Sequence, residues 1–307
     1  MSLPRLSGVI PILATPFHDN ESLDCASLTR LIEFCASLGV TAVTLLGVLG
    51  ESNRLTDAER NVLTRTAVKA AAGRIPVIVG CSHTGTFATV SHIEEAMALG
   101  ASAAMVAPSR QPIPNDAAVF DYYARTAQTG APIVLQDHPA STEVHMSAPL
   151  ILRIAAEIPG IACIKAEAVP SPGKIATLKA GLKRDIPILT GLGGLYGFFD
   201  IERGSDGFNT GFAFPEVLLA MVKADRETAW EIYRRYLPLM VFEQQPGLAI
   251  RKEILRRRGL IEGGRVRHPG ANIDPATAAQ LAALLDRTFP GQDLTKPIAA
   301  SLIASQR

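Results

Sequence analysis

The chain has 307 residues, 48% of them hydrophobic, and a formal net charge of +1 at pH 7. That is enough apolar material for one large α/β domain, with or without an appendage, and too little charge to draw in nucleic acid or an anionic membrane. Cys25, Cys35, Cys81 and Cys163 stand far apart with no CxxC pair, which argues against a zinc site or a disulfide framework and points to a reducing, cytoplasmic setting.

The N-terminus carries Pro4, Pro11 and Pro16 and no basic region leading into an unbroken apolar core, so it is not patterned as a signal peptide. No run approaches about 18 continuous apolar residues, the length a membrane span requires. Short apolar runs then recur as predicted strands: GVIPILAT (8–15), TAVTLLG (41–47), IPVIVGC (75–81), AAMVAP (103–108), PIVLQD (132–137), IACIKAE (161–167), IPILTG (186–191) and DGFNTG (206–211). Between them lie amphipathic stretches such as LTRLIEFCASLG, DAERNVLTRTAVKAAAG and ATVSHIEEAMALG, with apolar residues at three- and four-residue spacing and a closing glycine. Eight strand-plus-helix units predict a (β/α)8 TIM barrel over residues 1–224; a doubly wound sheet is disfavoured because no GxGxxG turn follows the first strand.

Beyond the eighth strand the pattern is helical only, in FPEVLLAMVKA, RETAWEIYRRYLPLMVFEQ, GLAIRKEILRRRG and DPATAAQLAALLDRTF, so residues 225–307 read as a C-terminal helical extension. Within it, Arg251, Lys252, Arg256, Arg257 and Arg258 cluster around Glu253. With the net charge balanced, that cluster reads as a solvated helix face or subunit contact rather than a nucleic-acid patch. The segment from Pro290 onward is polar and is expected to be loosely held.

In a barrel of this kind the C-terminal ends of the strands form the active face. Lys165 is at such an end, whereas the other lysines fall in predicted helices or the tail. Its stem could lie along apolar surface with the head in water. Set among Ile161, Cys163 and Ile164, it could instead serve as a nucleophile. An ordinary lysine is neutral in about one molecule in a few thousand at pH 7, so that role requires surroundings that favour the free amine.

Four further features resemble the family of dihydrodipicolinate synthase and N-acetylneuraminate lyase. They are Gly-Val-Leu-Gly-Glu at Gly47 to Glu51 after the second strand, the Pro139 turn after the fifth, Ile164-Lys165 on the sixth, and GFAFPEV from Gly211 to Val217 after the eighth. The resemblance covers nearly the whole chain, barrel and C-terminal helices together. It implies that Lys165 forms a Schiff base with pyruvate or another small 2-oxo acid, that no metal or organic cofactor is used, and that the protein is a homo-oligomer, commonly a tetramer. It also marks departures. The family's strand-five tyrosine, which shuttles protons, is replaced in Gln136-Asp137-His138-Pro139. The hydroxyls of its glycine turn are replaced by Val48 and Leu49, and its aldehyde-binding arginine by Ser141.

Backbone N–H groups from Gly47 through Val48 and Leu49 to Gly50 remain able to hold a carboxylate, with Gly191 and Thr210 as further substrate-side positions. A proton shuttle is still required. Glu167, two residues beyond Lys165 and so on the same strand face, is the first candidate, with an ion pair across the barrel mouth as its structural alternative. His138 is second; Gln136 joins the catalytic set, and Asp137 is assigned a structural, orienting use. Gln136-Asp137-x-Pro139 with Lys165-x-Glu167 resembles the branch that dehydrates 2-oxo-3-deoxy sugar acids such as 2-keto-3-deoxyarabonate. The expected activity is therefore a Schiff-base lyase, a dehydratase or aldolase of such an acid. Dihydrodipicolinate synthesis is the enzymatic alternative, and a non-catalytic 2-oxo-acid binding protein the alternative of another class.

Overall fold

A computed structural model describes residues 5–110, 115–245 and 247–304. Eight parallel strands form the barrel: β1 (Gly8–Pro11), β2 (Val43–Leu45), β3 (Val77–Gly80), β4 (Ala103–Val106), β5 (Ile133–Asp137), β6 (Ile161–Ala166), β7 (Ile188–Thr190) and β8 (Gly207–Thr210). Hydrogen-bonded neighbours run β1-β8-β7-β6-β5-β4-β3-β2, and a parallel bridge between Ile12 and Thr44 closes the ring. Every predicted strand is present, each shorter than its apolar run, because the runs include flanking residues that have left the ladder.

The intervening helices are α1 (Cys25–Ser37), α2 (Asp57–Ala71), α3 (Thr86–Ala98), α4 (Asp116–Ala127), the single turn α5 (Pro139–Thr142), α6 (Ala148–Glu157), α7 (Ser171–Gly181), α8 (Gly197–Glu202) and α9 (Pro215–Lys223). Their starts follow local chemistry. Asp24 caps α1 by accepting from the Ser27 N–H, and Thr56 with Glu59 forms a reciprocal capping box on α2. Strand alternation sorts the core into two parts. Ile10, Ala42, Ile78, Ala103, Met105, Val134, Cys163 and Leu189 fill the barrel, while the opposite strand faces pack against the helices. Above the interior layer, Asn209 Nδ2 donates to the Ile10 carbonyl at 2.9 Å and to Thr44 Oγ1 at 3.0 Å, linking three strands below the mouth.

The extension consists of α10 (Arg226–Gln244), α11 (Leu248–Arg257), α12 (Pro275–Thr288) and α13 (Ala300–Ala304). It corrects two sequence expectations. The basic cluster is not a solvated face: Arg251, Lys252 and Arg258 are buried and paired with Glu243, Glu51 and Glu216. Only Arg256 and Arg257 behave as expected, bonding to Glu253 on the same helix. Helical spacing gave no hint of this, since two of the three acidic partners are distant in sequence, Glu51 in the turn after β2 and Glu216 on α9. The tail is also held: Ile298 and Ile303 are buried, and α13 packs on α9 and α10. Residues 305–307 lie outside the described residues. No helix among the described residues is long and apolar enough to cross a membrane.

Candidate active site

The alternation of β6 carries Cys163, Lys165 and Glu167 on the interior face, with Glu167 one residue past the strand end. Lys165 is 2% exposed, so its head is not in water. Its Nζ lies 2.9 Å from Glu167 Oε2, and the same oxygen accepts from Gln136 Nε2 at 2.8 Å. Gln136 reaches it because β5 and β6 pair with Gln136 directly beside Lys165. The second oxygen, Oε1, accepts from the Leu192 N–H at 3.3 Å. Glu167 is thus fixed by three donors from three consecutive segments of the barrel.

Burial pushes the Glu167 carboxyl up, but Lys165, His138 and the Gln136 amide outweigh it and hold it below its ordinary value. The side chain therefore stands as a carboxylate beside Lys165 Nζ. Burial pushes the His138 imidazole down despite the nearby carboxylate, favouring its neutral form. His138 Nδ1 is hydrogen-bonded to the Ser141 hydroxyl, so the position expected for an arginine instead orients this ring. Asp137 points the other way, out of the barrel, where its carboxylate lies 2.5 Å from Lys174 Nζ on α7 and burial raises its pKa.

These groups open into a cavity of about 120 Å³ at the C-terminal ends of the strands. Of the ten residues singled out in sequence, Gln136, His138, Lys165, Glu167, Val48, Leu49 and Thr210 line it. Gly47, Gly50 and Gly191 stand behind the lining. Gly50 accepts at its carbonyl from Thr15 Oγ1 at 2.7 Å, and Thr210 Oγ1 accepts from the Gly193 N–H at 2.7 Å. Gly191 has a steric reason: a Cβ there would lie 2.0 Å from Glu167 Oε1. The glycine leaves room for the carboxylate.

Residues not anticipated at the site are Ile12, Leu192, Gln244 and Arg251. The last two come from α10 and α11, so the extension forms one wall. It also fixes the glycine turn. Glu51, 1% exposed, pairs with Lys252 Nζ at 2.5 Å and Arg54 Nη1 at 2.8 Å, and accepts from the Arg267 N–H at 2.9 Å. Only the acidic end of Gly47 to Glu51, read together with the basic run of α11, could have signalled this. Outside the cavity, His18, Asp24 and Glu262 bring possible ligand atoms within 4.8 Å of one another, but both Asp24 oxygens already accept from Ser27 in capping α1.

A closed parallel barrel with a lysine, a carboxylate and an amide converging in a cavity at the strand C-termini has the layout of a barrel enzyme. The chain belongs to the dihydrodipicolinate synthetase family, whose model matches residues 5–288, and it is accordingly a lyase. It is 34% identical over 302 residues to an L-2-keto-3-deoxyarabonate dehydratase of Azospirillum brasilense, covering 94% of this chain and 96% of the relative. It is 36% identical over 203 residues to a 4-hydroxy-tetrahydrodipicolinate synthase of Stenotrophomonas maltophilia, covering 66% of this chain and 67% of that protein. Among solved structures, dihydrodipicolinate synthase of Rhodopseudomonas palustris superposes with a TM-score of 0.88 at 34% identity, covering 94% of this chain and 99% of the other.

Proposed function

We propose that the chain is a Schiff-base-forming dehydratase of a 2-oxo-3-deoxy sugar acid. The observation that carries this reading is the buried contact of Lys165, Glu167 and Gln136 within one cavity. The near full-length similarity to a 2-keto-3-deoxyarabonate dehydratase supports the same substrate class.

Lys165 Nζ attacks the C2 carbonyl while Glu167, 2.9 Å away, takes a proton from the amine. Water leaves and the imine forms. The imine acidifies C3; Glu167 removes a C3 proton and returns it to the C4 hydroxyl, which departs as water. Hydrolysis of the imine then frees Lys165. Gln136 and the Leu192 N–H keep the carboxylate aimed during both transfers. Within the Gly47 to Gly50 turn, the backbone N–H groups of Val48 and Leu49, which line the cavity, hold the substrate carboxylate. No metal or organic cofactor takes part, and the protein works in the cytoplasm as a homo-oligomer, a tetramer by family resemblance.

The alternative reading, 4-hydroxy-tetrahydrodipicolinate synthesis, has the support of the synthase relatives. Against it stands the chemistry of the lining, where Val48, Leu49 and Gln136 occupy the places of the turn hydroxyls and the phenol. The imine common to both readings is tested by incubation with pyruvate and borohydride, which is expected to attach one reduced pyruvyl group to the peptide containing Lys165; turnover of a 2-oxo-3-deoxy sugar acid without dihydrodipicolinate formation is the result expected for the dehydratase. Labelling elsewhere, or undiminished labelling of Lys165→Ala, would overturn the imine.

A further inference from the structure

Arg251 enters the cavity from α11 with its side chain 6% exposed. Its Nε donates to Glu243 Oε2 at 3.0 Å. Among the described residues neither terminal nitrogen makes a hydrogen bond, although both belong to a cation that cannot discard its proton. The guanidinium stands against the Gly193 turn: a Cβ built on Gly193 would lie 3.2 Å from Nη2 and 1.9 Å from Gln244 Nε2. Only a glycine there lets the two side chains come so near the cavity.

Glu243 engages only the inner side of this group, through Nε. It is completely buried, and burial pushes its carboxyl up to about 7, with Arg251 drawing it back only in part. A planar fork with unused donors facing a cavity is built to take an anion, most favourably a carboxylate held through two parallel N–H bonds. The two basic side chains also reach the cavity from different walls. Lys165 stands on β6, at the strand ends, whereas Arg251 comes from α11 of the extension.

We infer that Arg251 is a specificity determinant that takes a second carboxylate at the end of the substrate remote from the carbonyl, so that the preferred acids are 2-oxo dicarboxylic acids, among them 2-oxo-3-deoxy aldaric acids. This rests on reading the cavity as a 2-oxo-acid site, and it sharpens that reading to one charge class. Glu243 acts behind it as a positioning residue.

The test compares 2-oxoglutarate with 2-oxopentanoate, acids of equal chain length that differ in the distal carboxylate. Binding is followed by calorimetry, so that neither turnover nor imine formation is required. The wild-type protein is expected to bind 2-oxoglutarate at least about tenfold more tightly. Arg251→Met should abolish that preference, lowering 2-oxoglutarate affinity relative to 2-oxopentanoate, while Arg251→Lys should keep part of it. The double variant Arg251→Met with Glu243→Gln removes the buried pair together and guards against misfolding from an unpaired carboxylate. No preference in the wild type, a preference that survives Arg251→Met, or an equal loss for both acids in the folded variants would overturn the assignment. Borohydride trapping on Lys165 is scored separately. A calorimetric preference without trapping would sink the imine and leave the anion subsite standing, whereas trapping without preference would do the reverse.

Discussion

Replacing Glu167 by glutamine keeps the shape of the side chain and removes its ability to accept and return a proton. Glu167 receives Gln136 Nε2 at 2.8 Å and Lys165 Nζ at 2.9 Å on one oxygen and the Leu192 N–H at 3.3 Å on the other. A glutamine can keep the Leu192 contact. Its amide then meets the Gln136 amide, which can rotate to offer its oxygen, so the local network survives while the charge is lost. Loss of a positioned general base costs roughly 10² to 10⁴ in turnover, or about 3 to 5 kcal/mol in the barrier. The expected result is a fall in kcat of at least about 10²-fold on a 2-oxo-3-deoxy acid, with borohydride still trapping an adduct on Lys165. The pH profile supplies a second signature. A base must be ionised to act, and Glu167 is held below the ordinary carboxyl value because its cationic and amide neighbours outweigh burial. The acid limb of kcat/KM in the wild type should therefore fall below about pH 4.5. The same depressed pKa contributes stability that is present above the unfolded value and lost as pH falls through the folded one, a dependence that Glu167→Gln removes. Normal turnover by Glu167→Gln together with a dead His138→Ala would refute the reasoning and move the base to β5.

Gly191→Ala should resemble Glu167→Gln in kinetics, with turnover down about 10²-fold and trapping retained, because the new Cβ would displace Glu167 Oε1 from 2.0 Å away; unchanged turnover would show that the carboxylate can act from another rotamer. Lys252→Met leaves Glu51 buried with only Arg54 to balance it, and chemical denaturation should report a loss on the order of 3 kcal/mol. Burial holds the Lys252 pKa at about 8, below 10.5 in the unfolded chain, so between those values the unfolded state binds more protons and this residue makes stability rise with pH, a rise the methionine variant should lack. With pyruvate and aspartate semialdehyde, dihydrodipicolinate formation should be slow; a kcat/KM of about 10⁴ M⁻¹s⁻¹ or more would show that other groups replace the absent phenol, hydroxyls and arginine.

The strands were legible because a parallel sheet buried on both faces leaves short, nearly continuous apolar runs. Lys165 and Glu167 were legible as a pair because a strand repeats every two residues, which puts both on the face that carries Cys163. Gln136 was placed on the right strand, but its contact with Glu167 depends on the register of β5 against β6, and a sequence carries no record of register between parallel strands. Arg251 and Gln244 were illegible as site residues for a different reason. On a helix, a basic run around a glutamate is the pattern of a solvated face, and only the tertiary arrival of Glu243, Glu51 and Glu216 reverses it. The polar tail misled in the same way, since two isoleucines among polar residues are enough to pin it.

The replacement of a phenol and two hydroxyls by Gln136, Val48 and Leu49 alters how protons can move more than whether they can move. A relay through separate hydroxyls lets a proton leave the reacting carbon and arrive from elsewhere. Here the carboxylate that touches the amine also opens on the cavity, and its other contacts, Gln136 and the Leu192 N–H, donate hydrogen bonds without serving as acids at neutral pH. Under the proposed mechanism the proton taken from C3 passes from Glu167 to the leaving hydroxyl at C4, and the reaction closes on itself as loss of water; besides Lys165, His138 is the other group of the lining able to carry a proton. A condensation must deliver a proton to an incoming aldehyde oxygen, for which this wall offers Val48 and Leu49. The apolar turn therefore favours elimination from one bound acid over joining two, and the same substitutions that weaken the synthase reading strengthen the dehydratase reading.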